Sequence, residues 1–393
     1  MLGWLGMRIY FDHNATTPVN PAVADAMDAT QRRCFGNASS VHTFGQAAKA
    51  AIDEARTSVA GLLAGRPNDV IFTGSGTESD NLAIRGVAAA AAVSGRRHLI
   101  ASSIEHEAVL NTLKSLVKEG WRTTLLPVGE SGVVDPNDLA AALTDETSLV
   151  SVMLANNEIG TLQPVAELAR LAHEHGALFH SDVVQAAGKH PIDVSALGAD
   201  LLSISAHKFN GPKGVGALWV RRGARLVAPI TGGRQERNRR PGTENVPGIV
   251  GMGVAARVAR EKLATDALRL AALRDRLEAG ILDGVPGTMV NGTGERVPNT
   301  TNISFDGVEA EALLIALDLE GIAVSTGSAC SSGTLEPSHV LRAMGFRPHR
   351  AQNSIRFSLG LGNTEDDVAR AIDVMPGVVA KLRTLSGAAV AAG

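Results

Sequence analysis

The chain has 393 residues, more than one hydrophobic core usually spans, so we expect a large domain and a smaller one. Its residues are 45% hydrophobic and 20% charged with a formal net charge of −3, which argues against nucleic acid and membrane surfaces as partners. No stretch approaches the roughly 20 apolar residues needed to cross a bilayer, and residues 1–7 lack the pattern of a signal peptide. We expect a cytoplasmic protein.

The two cysteines, Cys34 and Cys330, cannot form a disulfide framework, and a reducing compartment would keep both as thiols. Cys330 lies in a run of small polar residues, unlike the large apolar surroundings of a structural cysteine. Cys34 has no such setting, so we expect it to be structural. Cys330 is therefore the candidate for chemistry.

Apolar runs bounded by Gly, Pro, Ser or Asn alternate with Ala-rich segments of helical spacing. This alternation predicts an α/β fold, with a mainly parallel sheet and helices on both faces. Ligands bind such sheets beyond the carboxyl ends of the strands. The predicted strands are residues 70–73, 98–102, 149–155, 177–180, 201–205 and 216–220. A long helix over 254–283 follows, and strands at 302–305 and 354–359 after it indicate a second, smaller unit from about residue 260.

The first candidate site is a Gly-Ser-Gly-Thr sequence, residues 74–77, between a predicted strand and a helix. Backbone amides at a helix start are unpaired and partly positive, and glycine allows an anion to approach closely. The segment is not a nucleotide-binding loop, because it lacks both the Gly-Lys-Ser/Thr ending and the dinucleotide glycine spacing. It is either an anion-binding site or a tight structural turn.

Two further candidates follow later strands. Asp182 ends one apolar run, where a carboxylate could bind a ligand or could simply cap a helix. Lys208 follows another strand in a Ser-Ala-His-Lys sequence, although a single lysine is usually a surface residue. An anion-binding turn, a carboxylate and an amine in this order are what pyridoxal 5′-phosphate requires: a phosphate site, a partner for its ring nitrogen and an amine for a Schiff base.

At this point the sequence resembles the class V aminotransferase family, and within it the cysteine desulfurases of the NifS/IscS type. The resemblance extends over nearly the whole chain and implies a fold type I pyridoxal-phosphate transferase, with a smaller α+β domain. The matching motifs are residues 9–18 (IYFDHNATTP), 35–39 (FGNAS), 77–82 (TESDNL), 105–109 (EHEAV), 156–160 (NNEIG), 205–208 (SAHK), 241–245 (PGTEN), 325–338 (STGSACSSGTLEPS) and 354–358 (SIRFS).

The resemblance implies roles for individual residues. Lys208 resembles the Schiff-base lysine, Asp182 the partner of the pyridinium nitrogen, and Gln185 the donor to the ring hydroxyl. His106 resembles the catalytic histidine that stacks on the ring, where an imidazole can also move protons. A helix-start or core histidine is the alternative for His106. The phosphate contacts are Gly76, Thr77, Ser205 and His207.

Three more residues are implied to contact the cofactor or the substrate. Asn157 matches a contact to both, and Arg356 matches the arginine that binds the substrate carboxylate with paired donors. Thr243 matches a threonine that reaches the phosphate of a neighbouring subunit, which implies a homodimer. We expect residues 1–18 to pack with a small domain at 260–393, and residues 19–259 to form the cofactor-binding domain.

Cys330 selects the branch of the family. The length of the segment at about 325–338 resembles the long mobile loop on which a desulfurase cysteine moves between the substrate and an acceptor. The implied reaction converts L-cysteine to alanine and leaves a persulfide on Cys330, from which sulfur passes to an acceptor protein such as an iron–sulfur scaffold. A selenocysteine lyase or an aminotransferase on the same fold is an alternative, and a non-catalytic partner of an assembly complex is another. No metal site is expected.

Overall fold

The computed structural model describes residues 8–327 and 337–387. Its strands are β1 (Ile9–Tyr10), β2 (Val70–Thr73), β3 (His98–Ser102), β4 (Arg122–Leu126), β5 (Thr147–Ser151), β6 (Leu178–Asp182), β7 (Leu201–Ser205), β8 (Gly216–Val220), β9 (Thr288–Val290), β10 (Thr300–Phe305), β11 (Ile322–Ala323) and β12 (Ser354–Ser358).

Thirteen α-helices lie in the described residues, with short 3₁₀ turns at Pro67–Asp69, Ala92–Ser94 and Ala206–Lys208. They are α1 (Pro21–Arg33), α2 (Thr43–Leu62), α3 (Gly76–Ala91), α4 (Glu107–Lys118), α5 (Pro136–Ala142), α6 (Val165–Glu174), α7 (Val194–Leu197), α8 (Gln235–Asn238), α9 (Val246–Gly284), α10 (Ala310–Leu319), α11 (His339–Ala343), α12 (Pro348–Gln352) and α13 (Glu365–Ser386).

The main sheet has seven strands in the order β2-β8-β7-β6-β5-β3-β4. Strand β8 is antiparallel to both neighbours, and the other strands run in one direction. Every residue of β2, β3, β5, β7 and β8 is buried, as expected when helices cover both faces of a sheet. The predicted α/β fold is confirmed.

Four strand predictions match the observed bounds, namely β2, β3, β7 and β8. The prediction for residues 149–155 was wrong at both bounds, because β5 runs from Thr147 to Ser151. The buried residues that follow keep single hydrogen bonds to β6, from the Val152 amide to the His180 carbonyl oxygen and from the Leu154 amide to the Asp182 carbonyl oxygen. Strand β6 begins at Leu178 and continues to Asp182, two residues past the predicted end. Helix α9 starts at Val246 rather than at residue 254.

A second, smaller set of strands and helices follows the main sheet. Strands β12, β10 and β9 form an antiparallel sheet, and β1 pairs in parallel with β11. The apolar core of this part combines Ile9 and Phe11 with residues between 270 and 379. Helix α9 passes through residue 260 without interruption, and the division at 18 and 260 stays a prediction.

Candidate active site

Five strands of the main sheet end at one edge, and the segments that follow them bring the predicted site residues together. Gly76 and Thr77 lie in the segment that follows β2. His106 lies in the segment that follows β3, and Asn157 in the segment that follows β5. Asp182 and Ser205 are the last residues of β6 and β7, with Gln185 and Lys208 shortly after them. This edge is the carboxyl edge, where parallel sheets bind ligands.

The turn between β2 and α3 is built as an open helix start. Ser75 is the N-cap, and its Oγ accepts a hydrogen bond from the Glu78 amide at 3.1 Å. The Glu78 carboxylate reaches back and accepts from the Gly74 amide at 2.7 Å. The amides of Gly76 and Thr77 lie in the first turn, where an α-helix supplies no acceptor of its own. They are suited to an anion.

The space beside this turn is too small for a side chain at position 76. A Cβ on Gly76 would lie 3.0 Å from Val184 Cγ2 and 3.4 Å from Ser205 Cβ. Ser205, at the end of β7, therefore borders the turn directly. His207 lies two residues further on, and its Nδ1 is 3.1 Å from Thr16 Oγ1. Burial, with Lys208 and Lys213 nearby, lowers the pKa of His207 to about 4, so its ring is neutral at pH 7.

Asp182 is a buried carboxyl group at the end of β6. One oxygen accepts a hydrogen bond from the Val184 amide at 2.8 Å. Burial raises the pKa of Asp182, while the positive charges of His106 and Lys208 and the amide of Val184 oppose that rise. A cation placed against this carboxyl group would favour its ionised form.

His106 is both a helix cap and a neighbour of the other site residues. It is the N-cap of α4, and its Nδ1 accepts a hydrogen bond from the Ala108 amide at 3.1 Å. The proton of the neutral ring must then lie on Nε2. Burial lowers the pKa of His106, whereas the charge of Asp182 raises it. His106 is therefore a helix-start residue, as the alternative reading predicted. Its ring is also close enough to Asp182 and Lys208 for their charges to act on its pKa.

Lys208 closes the 3₁₀ turn that follows β7. Its Nζ donates to the carbonyl oxygens of Asn14 at 2.5 Å and Ala15 at 2.8 Å. Gln185 Nε2 donates to the same Asn14 oxygen at 2.9 Å, which uses one of its two hydrogens. The Schiff-base lysine and the ring donor implied by the sequence thus share one acceptor on the N-terminal segment.

Arg356 lies in β12 and has its side chain buried next to the N-terminal segment. Its Nη2 is 2.6 Å from Asp12 Oδ1, and its Nη1 donates to the Asn157 carbonyl oxygen at 3.0 Å. Its Nε is buried and has no hydrogen-bond partner among the described residues. Arg356 and Asn157 are therefore in contact, and the contact is made by the backbone carbonyl oxygen of Asn157.

Two buried acids below the site were not predicted. Burial raises the pKa of Glu105 to about 8, although its Oε1 accepts from Ser102 Oγ at 2.5 Å and from the Met153 amide at 2.8 Å. Asp80, on α3, is also buried, and burial and the charge of Asp182 raise its pKa. Burial thus shifts both acids toward the protonated form, and Asp182 is the acid whose pKa is lowered by the charges of both His106 and Lys208.

Sequence reasoning quoted the motifs that contain Asp12, Asn14, Asp80 and Glu105 but gave these four residues no role. Their only signal was membership of these motifs, which contain several other polar residues. Lys189 was missed altogether, and its only signal is its position four residues after Gln185.

The remaining predicted residues lie elsewhere. Thr243 is exposed, just before α9, in a loop joined to α3 by an ion pair of 2.7 Å between Arg240 and Glu78. Cys330 lies outside the described residues. Cys34 is half-buried and packs against the large core. No group of three metal-binding side chains occurs in the described part of the chain, and no described helix is long and apolar enough to span a membrane.

The chain belongs to the class-V aminotransferase family, whose model matches residues 9–371. It is similar to "Cysteine desulfurase IscS" of Dictyoglomus turgidum, with 48% identity over 380 residues and 96% of each chain covered. The resemblance inferred from the motifs is therefore confirmed.

Solved structures agree with this assignment. A NifS-like protein has a TM-score of 0.89 at 38% identity and covers 96% of this chain and 100% of its own. A structure described as SspA in complex with cysteine has a TM-score of 0.80 at 36% identity, with 89% of this chain and 98% of that one covered.

Proposed function

We propose that this chain is a cysteine desulfurase that binds pyridoxal 5′-phosphate at Lys208 and transfers sulfur from L-cysteine to Cys330. The observation that carries the proposal is the meeting of three groups at one sheet edge: the open amides of Gly76 and Thr77, the buried carboxyl of Asp182 and the amine of Lys208. The relatives named as cysteine desulfurases support the choice of reaction.

The residues present fit this cofactor. The phosphate would bind the first turn of α3, where a side chain at position 76 would fill the space beside Ser205. Asp182 would hold a proton on the ring nitrogen, and His106 would lie against the ring. When bound, pyridoxal phosphate withdraws electrons from the substrate Cα and so weakens the bonds around it.

Arg356 would bind the carboxylate of L-cysteine. Its buried Nε has no partner, and its guanidinium plane is fixed by Asp12 and by the Asn157 carbonyl. A fixed planar fork loses little entropy when it binds a carboxylate. The cysteine bound in the related SspA structure supports this substrate class.

Lys208 is the proton carrier of the proposal, and His106 supplies a hydrogen-bond donor. The Lys208 amine would remove the Cα proton. The Nδ1 of the neutral His106 ring is occupied by the Ala108 amide, so Nε2 carries the proton and would donate a hydrogen bond near the substrate thiol. Burial lowers the pKa of His106 and so favours this neutral form.

Sulfur transfer would use the Cys330 thiolate as nucleophile. A bond forms between Cys330 Sγ and the substrate sulfur, the substrate Cβ–S bond breaks, and the carbon fragment takes up a proton to become alanine. L-cysteine and one thiol give alanine and one persulfide, so the exchange needs no external oxidant. An acceptor protein, such as an iron–sulfur scaffold, or a thiol reductant then removes the sulfur.

A homodimer is part of the same proposal. Thr243 is exposed in this chain, in a loop held against α3 by the Arg240–Glu78 ion pair. A partner subunit placed there would receive the threonine at its own phosphate site. Light scattering with a parallel activity assay tests this, and active monomers would contradict it.

The decisive experiment mixes the purified protein with L-cysteine and a thiol reductant and measures both alanine and sulfide. Equal amounts of both products are expected, and a visible absorption band should accompany the protein. Cys330→Ser should keep the band but lose sulfide release about 10²-fold or more, because the nucleophile is gone. Cys34→Ser is the matched control and should stay near wild type.

Other products would point to the alternative functions. Amino-group transfer to a keto acid without sulfide would indicate an aminotransferase, and the absence of any band would favour a non-catalytic partner. Wild-type sulfide release by Cys330→Ser would contradict the persulfide step and favour a direct lyase.

A further inference from the structure

Lys189 is a buried lysine to which the proposed mechanism gives no task. It is 8% exposed and lies in the turn that follows β6. Its Nζ donates to Gln185 Oε1 at 2.8 Å and to Asn14 Oδ1 at 3.1 Å. The charged groups that act on its pKa are Lys208 and Arg356, both cations, and with burial they lower it well below the usual value. Two neutral amides therefore hold this amine.

The chemistry of the contacts fixes which way both amides point. Each amide nitrogen meets a backbone carbonyl oxygen, which can only accept, so the nitrogen must face that carbonyl and the amide oxygen must face Lys189, whose amine donates to it. Gln185 Nε2 accordingly meets the Asn14 carbonyl oxygen at 2.9 Å. Asn14 Nδ2 meets Thr300 Oγ1 at 2.8 Å and the Asn157 carbonyl oxygen at 3.1 Å.

The opposite orientation of Gln185 would be unfavourable on both sides. Its Oε1 would face the Asn14 carbonyl, acceptor against acceptor, and the Lys189 amine would lose the acceptor that Oε1 provides. The Asn14 carbonyl also accepts from Lys208 Nζ, so Lys189 and Lys208 are separated by one residue, Asn14, in the hydrogen-bond network.

We propose that Lys189 is a positioning residue that fixes the side-chain amides of Gln185 and Asn14 and thereby holds a hydrogen-bond donor beside Lys208. The second hydrogen on Gln185 Nε2 then serves an oxygen of the group bound at Lys208. The identity of that group rests on the proposed function, whereas the orientation of the amides rests on the contacts alone.

The test measures equilibrium binding of pyridoxal phosphate to cofactor-free protein, by absorbance and by quenching of tryptophan fluorescence. Lys189→Met keeps the length of the side chain and removes the donor. We expect it to weaken binding about 10- to 100-fold, the loss typical of a buried hydrogen-bond acceptor that has lost its donor. Lys262→Met, an exposed position on α9, is the matched control and should bind like wild type.

A double-mutant cycle separates positioning from a general loss of packing. If Lys189 acts through Gln185, then Lys189→Met should add less than about twofold to the loss caused by Gln185→Ala. Independent, multiplying losses would contradict the proposal. If Lys189→Met does not fold, Lys189→Gln takes its place in the same cycle, with the same criterion.

The outcomes distinguish this inference from the proposed function. If the wild type does not bind pyridoxal phosphate, the proposed function fails. If the wild type binds it and Lys189→Met binds as tightly as Lys262→Met, the role of Lys189 is wrong and the proposed function stands.

Discussion

Arg356 on β12 and Asp12, two residues past the end of β1, form an ion pair across 344 residues of sequence, with 2.6 Å between Nη2 and Oδ1. The arginine side chain is only 3% exposed, and the aspartate is 19% exposed. Asp12, on the N-terminal segment, thus pairs with a buried cation. The contact leaves the unpartnered Nε of Arg356 for another acceptor.

Removal of Asp12 should affect substrate binding more than turnover. We expect Asp12→Ala to raise the KM for L-cysteine about tenfold, because the guanidinium must then be ordered when the substrate binds. Asp12→Asn keeps an oxygen at the same place and should raise KM less. Steady-state kinetics check both variants, with Asp28→Ala, from an exposed ion pair with Arg32, as control. An unchanged KM in Asp12→Ala would show that Asp12 does not position Arg356.

The bounds of strands in the main sheet could be predicted where the apolar run in the sequence and the observed strand end at the same residue. At β2 and β7 the apolar run stops at a polar residue, and the strand stops there as well. Residues 152–155 stay buried, and the amides of Val152 and Leu154 still donate to residues of β6, but the regular strand ends at Ser151. Hydrophobic patterning reports burial, and here burial continues past the end of the regular strand.

The start of α9 was missed for a different reason. Its first turns contain Gly248, Gly251 and Gly253, which disfavour a helix in isolation. A Cβ on Gly253 would lie 2.6 Å from Ala55 Cα, so close packing against α2 requires glycine there. Tertiary contact overrides the local propensity.

The site was predictable to the extent that its residues follow strands. Asp182, His106 and Lys208 could be found in this way because each lies just beyond a recognisable apolar run. Asn14 could not, since its role depends on a contact with Lys208 across 194 residues of sequence. Lys189 could not either, because a lysine is ordinarily a surface residue and only the fold shows it buried.

The raised pKa of Glu105 predicts a loss of stability as pH rises. Burial raises the pKa from 4.5 to about 8 in the folded chain, so the folded state binds the proton more tightly than the unfolded state. The resulting stabilisation is complete below about pH 4.5 and is lost as pH rises through about 8. Glu105→Gln cannot ionise and should not show this loss.

Urea unfolding at several pH values between 5 and 9 measures the effect. The wild type should lose stability relative to Glu105→Gln by an amount on the order of a few kcal/mol over this range. Glu54→Gln, exposed on α2, is the control and should run parallel to the wild type. Parallel curves for wild type and Glu105→Gln would mean that the buried carboxyl does not titrate in this window.

Glu236 and Arg56 form a buried, two-fold hydrogen-bonded ion pair behind β2, with both N–O distances 2.7 Å. Glu236 and the next two residues, Arg237 and Asn238, have positive φ angles of 45°, 59° and 63°. Such conformations cost about 1–3 kcal/mol each for residues other than glycine. The ion pair therefore holds a strained turn that leads to Thr243.

Glu236→Ala should destabilise the protein by about 3–5 kcal/mol, because it leaves the buried Arg56 cation with only the Val70 carbonyl oxygen and a 3.7 Å contact to the exposed Asp53. Asp28→Ala breaks an exposed ion pair and should cost no more than about 1 kcal/mol. Denaturant unfolding compares the two, and hydrogen exchange should increase at residues 236–243 in Glu236→Ala alone. Equal small losses in both variants would show that the strained turn is held by other contacts.

Lys208 is the residue on which the chemistry depends most directly, and its replacement should separate cofactor binding from cofactor attachment. In Lys208→Ala the first turn of α3 and the Asp182 carboxyl remain, so pyridoxal phosphate should still bind, but more weakly. Borohydride treatment followed by peptide mass spectrometry should find the cofactor on the Lys208 peptide of the wild type and on no peptide of the variant. Turnover should fall about 10²- to 10⁴-fold with the loss of the proton carrier.

The control is Lys213→Ala, which replaces an exposed lysine of the same segment and should keep both attachment and activity. If Lys208→Ala kept the covalent link or turned over L-cysteine at the wild-type rate, another amine would have to be the attachment point.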